Sequence, residues 1–288
     1  MVRSNTTLVE TSMPVMAPYG ILSPATAVKE LPDTATSLLT YQIMDSGLLV
    51  VNSTINGGGT ETEVVVDNTE NKQTFGDYYP FNIRASIKAS TMGTRPEDLL
   101  ETAKNALDVV SQKAIESEFW HGTIAKSLSR ENDNRYLSRE LALDVTPTEG
   151  TAVKVRYGQA LLEEAIAESP LSAVGTIHVP KLIGSVLQTS PDANGALKTN
   201  LGTNVVVGSG YSHIGPDGVL APTGKAWMYA TGPVTVYLGS ISLTADKLNQ
   251  NVDSRNNTIE YFVDRPAAVT WSTTHLYAVL VDLTLDYA

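Results

Sequence analysis

Ser212 is the nearest approach to an activated nucleophile in this chain. It stands in Gly210-Tyr-Ser-His-Ile214, one residue away from the G-x-S-x-G turn that lifts a serine hydroxyl above a sheet. Ile at 214 cannot take the conformation that the last glycine supplies. The histidines His121, His178, His213 and His275 are isolated from one another, and no His-x-x-x-His pair puts two imidazoles on one helix face. His178 lies inside the apolar run Gly175-Thr-Ile-His-Val-Pro180 and reads as a hydrogen-bonded core residue. Gly57-Gly-Gly59 precedes Thr-Glu-Thr-Glu instead of Gly-Lys-Ser/Thr, so it cannot cradle phosphate as a P-loop does. Gly208-Ser-Gly210 lacks the third glycine of a dinucleotide fingerprint. Acid neighbours such as Glu61/Glu63 and Glu163-Glu164 are what 31 acidic residues produce by chance on solvated faces. The absence of cysteine removes disulfides, thiolate nucleophiles and cysteine-based metal sites. No catalytic, cofactor-binding or metal-binding set is expected, and the chain reads as a non-enzyme.

The bulk composition narrows the class further. The 288 residues carry 20 Lys+Arg against 31 Asp+Glu, a net charge of −11. That balance argues against a dedicated nucleic-acid binder, because neutralising phosphates takes concentrated cations. No apolar block follows Met1-Val-Arg-Ser-Asn-Thr-Thr to make a secretory signal. No run reaches the ~18 apolar residues of a membrane span. Charged residues are 18% of the chain, below the roughly 25% usual for soluble domains. A surface of small polar groups is desolvated at low cost, as where neighbours cover it; a β-rich domain with Thr-lined strands is the plainer reading.

The elements come next. Up to about Gly47 the chain is broken by Pro14, Pro18, Pro24 and Pro32 yet carries Leu8, Val9, Met13, Val15, Met16, Tyr19, Ile21 and Leu22. Ordering such a segment costs roughly 1–2 kcal/mol per residue, so it needs a surface, its own domain or a neighbouring subunit. Leu48–Val51 and Val64–Val66 flank Gly57–Gly59, and a polar stretch runs from Asp67 to Asp77 before Tyr78-Tyr79-Pro80. This reads as a projecting hairpin with a polar tip, marginal in water unless it rests on something. Phe81, Ile83, Ala85, Ile87 and Ala89 alternate with polar residues as one half-buried strand. Thr94 and Glu97 fit a capping box opening a long helix to Gly122, with Leu99, Ala103, Ala106, Leu107, Val110, Ala114 and Ile115 as its apolar stripe. Arg130, Arg135 and Arg139 among acids read as a salt-bridged surface. A second helix covers Tyr157–Ser169 with Ala160, Leu161, Ala165 and Ile166 inward, and a third runs through Leu182, Ile183, Val186 and Leu187. Strands are expected at 204–207, 226–230, 234–241, 258–262, 267–271 and 276–285. Trp120, Trp227 and Trp271 read as core. The class is α+β.

This order of features resembles the major capsid proteins of tailed bacteriophages, the Hong-Kong-type shell fold. The resemblance is carried by Phe119-Trp120-His-Gly122, Gly232-Pro-Val-Thr-Val-Tyr-Leu-Gly239, Asn257-Thr-Ile-Glu-Tyr-Phe-Val-Asp-Arg265 and His275-Leu-Tyr-Ala-Val-Leu-Val-Asp-Leu283. It implies an N-terminal arm over 1–47, an E-loop with adjoining P-domain strands over 48–93, and a P-domain with its spine helix over 94–150. An A-domain over 151–254 and returning C-terminal strands over 255–288 complete it. It implies self-assembly through hexamers and pentamers into an icosahedral shell around phage DNA. Scaffolding, portal and decoration proteins would be partners, with no sequence-specific DNA contact and no membrane. The chain would reside in the virion after synthesis in the bacterial host cytoplasm. No charged helical scaffold precedes the arm, which points to a separate scaffolding protein or to numbering from the mature end. Candidate subunit-interface residues are Val15, Met16, Tyr19 and Ile21 on the arm, with Gly57, Gly58, Gly59, Lys72, Tyr78 and Tyr79 on the hairpin; Lys72 lies near its presumed tip. An encapsulin-like nanocompartment shell is the alternative within the fold, and a phage tail or decoration protein the alternative outside it.

Overall fold

The computed structural model describes residues 15–32, 39–42, 50–52, 64–66, 75–90, 96–139, 141–168, 175–243, 252–253, 257–272 and 275–284. The expectations placed on Gly57, Gly58, Gly59, Lys72 and Thr94 lie outside these residues.

The 14-residue strand Thr258–Trp271 is the centre of a six-stranded sheet. All ten residues of Phe81–Ser90 pair antiparallel with its first part, and the five of Val234–Leu238 with its last. Val263 faces Ala85 on one side and Leu243 on the other, so the strand is flanked along both edges. The alternation in 81–90 is realised, with Phe81 and Ile83 buried and Asn82, Arg84, Ser86 and Lys88 exposed. The sequence reading splits the long strand around Asp264-Arg265-Pro266, but the structure runs straight through. Asp264 meets Arg84 across the sheet at 2.6 Å, and Arg265 meets Asp108 on the long helix. The polar triplet that interrupts the apolar pattern is therefore matched by distant charges, not by a turn.

Helix α1 (Pro96–His121) lies on this sheet. Ala103, Leu107, Ile115, Phe119 and Trp120 enter the core. Ala106 and Val110, expected on the same stripe, are exposed, Val110 at 51%. The buried face runs through Ala103, Leu107, Ser111, Ile115 and Phe119 at intervals of four and, in the second half, takes in Gln112, Glu116, Glu118 and Trp120, so it follows position rather than apolar character. A short helix α2 (Thr123–Ser127) follows.

The second sheet has eight strands, in the order Thr189–Pro191, Leu197–Thr199, Asn204–Gly208, Thr176–Pro180, Lys225–Thr231, Leu276–Asp282 and Leu143–Asp144, with Val153–Lys154 also on Leu276–Asp282. Helix α3 (Val155–Ala167) covers it, turning Val155, Gly158, Gln159, Leu162, Ala165 and Ile166 inward. Leu162 takes the place expected for Leu161, which is half-buried, and Ala160 is exposed. Gly158 lets helix and sheet close up, because a Cβ there would sit 2.6 Å from a Val281 methyl. The third helix is shorter than the reading through Leu187. It is a single turn, α4 (Lys181–Gly184), whose Leu182 is 55% exposed.

The two sheets share chain segments. Val234–Leu238 belongs to the first sheet and Leu276–Asp282 sits inside the second, so the divisions 151–254 and 255–288 interleave in space. The chain crosses between sheets at Gly232-Pro233 and again at 272–275. One apolar cluster joins the first sheet and α1 to Val206, Tyr229, Leu276 and Ala278 of the second sheet, and another lies between the second sheet and α3.

The opening segment is where the structure departs furthest from expectation. Ile21 is 0% exposed in the main core, with Ala25 and Leu31 beside it. Ala27–Glu30 then adds parallel to Val234–Leu238 at the edge of the first sheet. Residues 19–31 have a place on their own body.

Candidate assembly surface

The joint that holds the opening segment is built around a buried carboxylate. Glu116 of α1 is fully buried and accepts the amides of Ile21 at 3.1 Å and Gly210 at 2.8 Å. Burial is the larger influence and raises its pKa, opposed by the bonds from Gly210, Ile21 and Ser209. Gln112 donates to the Ala17 carbonyl at 3.3 Å, and the Val207 amide donates to the Tyr19 carbonyl at 2.7 Å. Gly20 passes so close that any Cβ would collide with Gln112 and Glu116. Ile21 and Tyr19, read as subunit-interface candidates, are thus engaged by their own chain, Ile21 completely and Tyr19 in part. Val15 is 88% and Met16 39% exposed.

The Phe119–Gly122 stretch acquires a physical reason. The α1 carbonyls of Phe119 and Trp120 receive the amides of Leu137 and Ser138 at 2.9 and 3.0 Å, so the returning chain caps the helix end. Gly122 takes φ +59, and a Cβ there would strike Tyr136. Glu118 then serves as a distant N-cap, its two oxygens accepting the amides of Ile124 and Ala125 at 2.8 and 2.9 Å. Phe119 meets His178 and Trp271 edge-on, and Trp120 meets Tyr211 and Tyr229. Trp120 and Trp271 are buried and Trp227 is half-buried, as expected.

His178 is the core residue that the sequence indicates. Its Nε2 lies 3.0 Å from Thr231 Oγ1 and its Nδ1 3.1 Å from the Tyr211 hydroxyl. Thr231 spends its only proton on the Gly232 carbonyl, so it must accept from Nε2–H, and Nδ1 accepts from Tyr211. The imidazole is neutral, and burial lowers its pKa to about 3. Around Ser212 no catalytic pairing forms. Ser212 Oγ accepts the Ile214 amide at 3.2 Å, and His213 Nδ1 lies 3.4 Å from the Lys225 carbonyl.

The arginine stretch holds one ion pair and several bonds to neutral groups among the described residues. Arg130 reaches Asp133 only at 3.8 Å, and its guanidinium stacks 3.6 Å above the Tyr79 ring. Arg139 donates to the Glu131 carbonyl and to Asn132 Oδ1. Tyr136 and Leu137 between them are buried.

The hairpin reading is realised in its pairings. Leu39–Gln42 pairs antiparallel with Phe75–Tyr78, and Val50–Asn52 with Val64–Val66. The registers differ by one residue, so the connection beyond the outer pair, 53–63, contains Gly57–Gly59. Each pair is a sheet of two strands. The base is anchored to the body. Tyr78 is 2% exposed in the main core, and Tyr79 exchanges two bonds with the Asn134 amide, at 2.6 and 2.8 Å. Both were interface candidates; Tyr78 is buried within its own chain, and Tyr79 is held on it.

Among the described residues no group of three or more acidic, histidine or cysteine side chains could hold a metal ion, and no helix is long and apolar enough to cross a membrane. Some large apolar side chains remain uncovered as well. Leu143, Leu201, Val219 and Leu220 are each 60% exposed or more.

The whole arrangement, a self-paired hairpin leading into a long helix on one sheet with a second sheet beside it, is the Hong-Kong-type phage capsid fold. The capsid of an empty GTA particle matches with a TM-score of 0.56 at 11% identity, over 96% of this chain and 95% of that one. The capsid of Ralstonia phage GP4 matches at 0.54 and 11%, over 99% and 97%. The holo-SrpI encapsulin complex from Synechococcus elongatus PCC 7942 matches at 0.50 and 11%, over 98% and 95%. No family model and no curated protein matches the sequence.

Proposed function

We propose that the chain is the subunit of an icosahedral shell, assembled through hexamers and pentamers, that encloses the DNA of a tailed bacteriophage. The observation that carries this reading is the likeness to capsids across nearly the full length of both chains. A two-stranded hairpin that, among the described residues, pairs only with itself supports it, since such a ribbon is marginal in water and gains a partner when copies meet. In this reading the hairpin is the E-loop, α1 and the first sheet form the P-domain, and the second sheet forms most of the A-domain. The arm proper is the part before Val15. Val15, Met16 and the hairpin tip at Gly57–Gly59 are its interface residues. A net charge of −11 suits a wall that holds DNA without binding it along its length. Scaffolding, portal and decoration proteins are its partners, the virion its location and the host cytoplasm its place of synthesis.

Electron microscopy of the purified protein tests this. Uniform icosahedral particles are expected, and a population of monomers at high concentration would overturn it. The encapsulin match favours one second reading, a shell around protein cargo. Nucleic acid inside particles from infected cells supports the phage reading, and co-purified protein cargo without nucleic acid supports the other. The tail or decoration alternative gains nothing from this fold.

A further inference from the structure

A cleft of about 460 Å³ opens between the chain after α2 and the turn at Pro216–Gly218, with Lys126, Glu131, Tyr136, Ser138, Arg139 and Asp217 in its lining. Its wall holds a hydroxyl that nothing satisfies. Ser138 is 2% exposed, its amide is spent on the Trp120 carbonyl, and its Oγ has no hydrogen-bond partner among the described residues. A buried hydroxyl left unpaired is costly, and native folds rarely keep one without use.

Two cations open on the same cleft. The Lys126 ammonium lies 4.6 Å from the Tyr136 ring centroid. Arg139 donates only to neutral acceptors, the Glu131 carbonyl and Asn132 Oδ1, and a guanidinium has five N–H donors to give. Neither cation is in an ion pair among the described residues. Glu118, whose charge Lys126 feels, has both oxygens committed to capping α2. Three donors without a full acceptor thus meet one cavity. Asp217 and Glu131 add negative charge to the lining, and Asp217 Oδ1 is already engaged by the Val219 amide. That charge disfavours a phosphate-dense ligand such as nucleic acid and leaves room for a single carboxylate.

We infer that this cleft receives an acidic side chain from a second copy of the chain, with Ser138 Oγ, Arg139 and Lys126 as its donors. The inference rests on the shell reading. Copies are then always at hand, and with 31 acids to 20 bases each brings carboxylates that lack a cation of their own.

Zero-length carbodiimide crosslinking of particles assembled from equal amounts of ¹⁴N- and ¹⁵N-labelled full-length chain tests it. The reagent activates a carboxyl group, and the Lys126 amine displaces it as the urea, forming an amide with net loss of water. Mass spectrometry should find Lys126 joined to an Asp or Glu of the other label, and Lys126→Arg should remove that adduct while particles still form. Ser138→Ala should leave the subunit's unfolding midpoint unchanged or raised, since its hydroxyl bonds nothing there, yet raise the concentration needed for assembly about fivefold. Particles that yield only same-label adducts at Lys126, or Ser138→Ala assembling at the wild-type concentration, overturn the assignment and leave the shell standing. No particles at all would overturn the shell reading, and this inference with it.

Discussion

The segment 15–32 and the hairpin from Leu39 to Tyr78 pose the same problem and solve it differently. Both lack a helical or long strand pattern in the sequence, and both carry apolar side chains. The first is bound to its own molecule by one fully buried side chain, Ile21, and by the amides and carbonyls that Glu116, Gln112 and Val207 engage. The second is fixed at its base by Tyr78, Tyr79 and Asn134, while its strands pair with each other and no third strand. Apolar content alone does not tell which body an extended segment belongs to. The decision rests with polar partners from far along the chain, 95 positions away for Glu116 and Gln112 and farther still for Val207.

The sharpest way to break this contrast is Ile21→Ala. Loss of a fully buried side chain should cost about 3 kcal/mol of subunit stability in urea unfolding, whereas Val15→Ala should change it by less than ~0.5 kcal/mol. A cost below ~1 kcal/mol for Ile21→Ala would return the segment to the parts that await a neighbour. For the same reason a deletion of residues 1–40 removes core as well as arm, and a cut before Val15 is the cleaner test of an arm.

A smaller effect comes from pH. His178 has a folded pKa of about 3, below its unfolded value near 6.5. The unfolded chain therefore takes up a proton first as pH falls. Stability is full well above pH 6.5 and declines toward pH 3, by roughly 2 kcal/mol between pH 6.5 and 4.5 from this group alone. His178→Gln should flatten the decline between pH 6.5 and 5, measured by chemical unfolding. An unchanged slope would mean that the imidazole is not held neutral in the body. Glu116 runs the other way, since burial raises its pKa. It costs the fold most at pH values above that raised pKa and least in acid.

Much of the body is legible in the residues. The alternation of 81–90, the buried run 176–180, the core role of His178 and the aromatic end of α1 each follow from a local pattern, because the spacing or apolar setting of the residues along the chain already marks which side chains turn inward, whichever distant elements then receive them. The failures share a cause as well. Ile21 looked like a residue without a home because its partners sit on α1 and at Gly210. Val110 reads as buried from its apolar type, but the face of α1 that packs holds Ser111, Gln112, Glu116 and Glu118 instead. Asp264-Arg265-Pro266 looked like a break because Arg84 and Asp108 cannot be seen from it. Ser138 gives no sequence signal at all, since a lone serine becomes notable only when its hydroxyl is found buried and unpaired.

The most direct test of the central claim is amide hydrogen exchange on isolated subunits and on assembled particles of the same chain. The amides of Ile21 and Leu31 should be protected in both, and those of the outer hairpin pair 50–52 with 64–66 only in particles, by at least a hundredfold over the subunit, or about 2.7 kcal/mol. Equal protection of the hairpin in subunit and particle would contradict the account, for it would mean that the ribbon is stable without another copy to rest on.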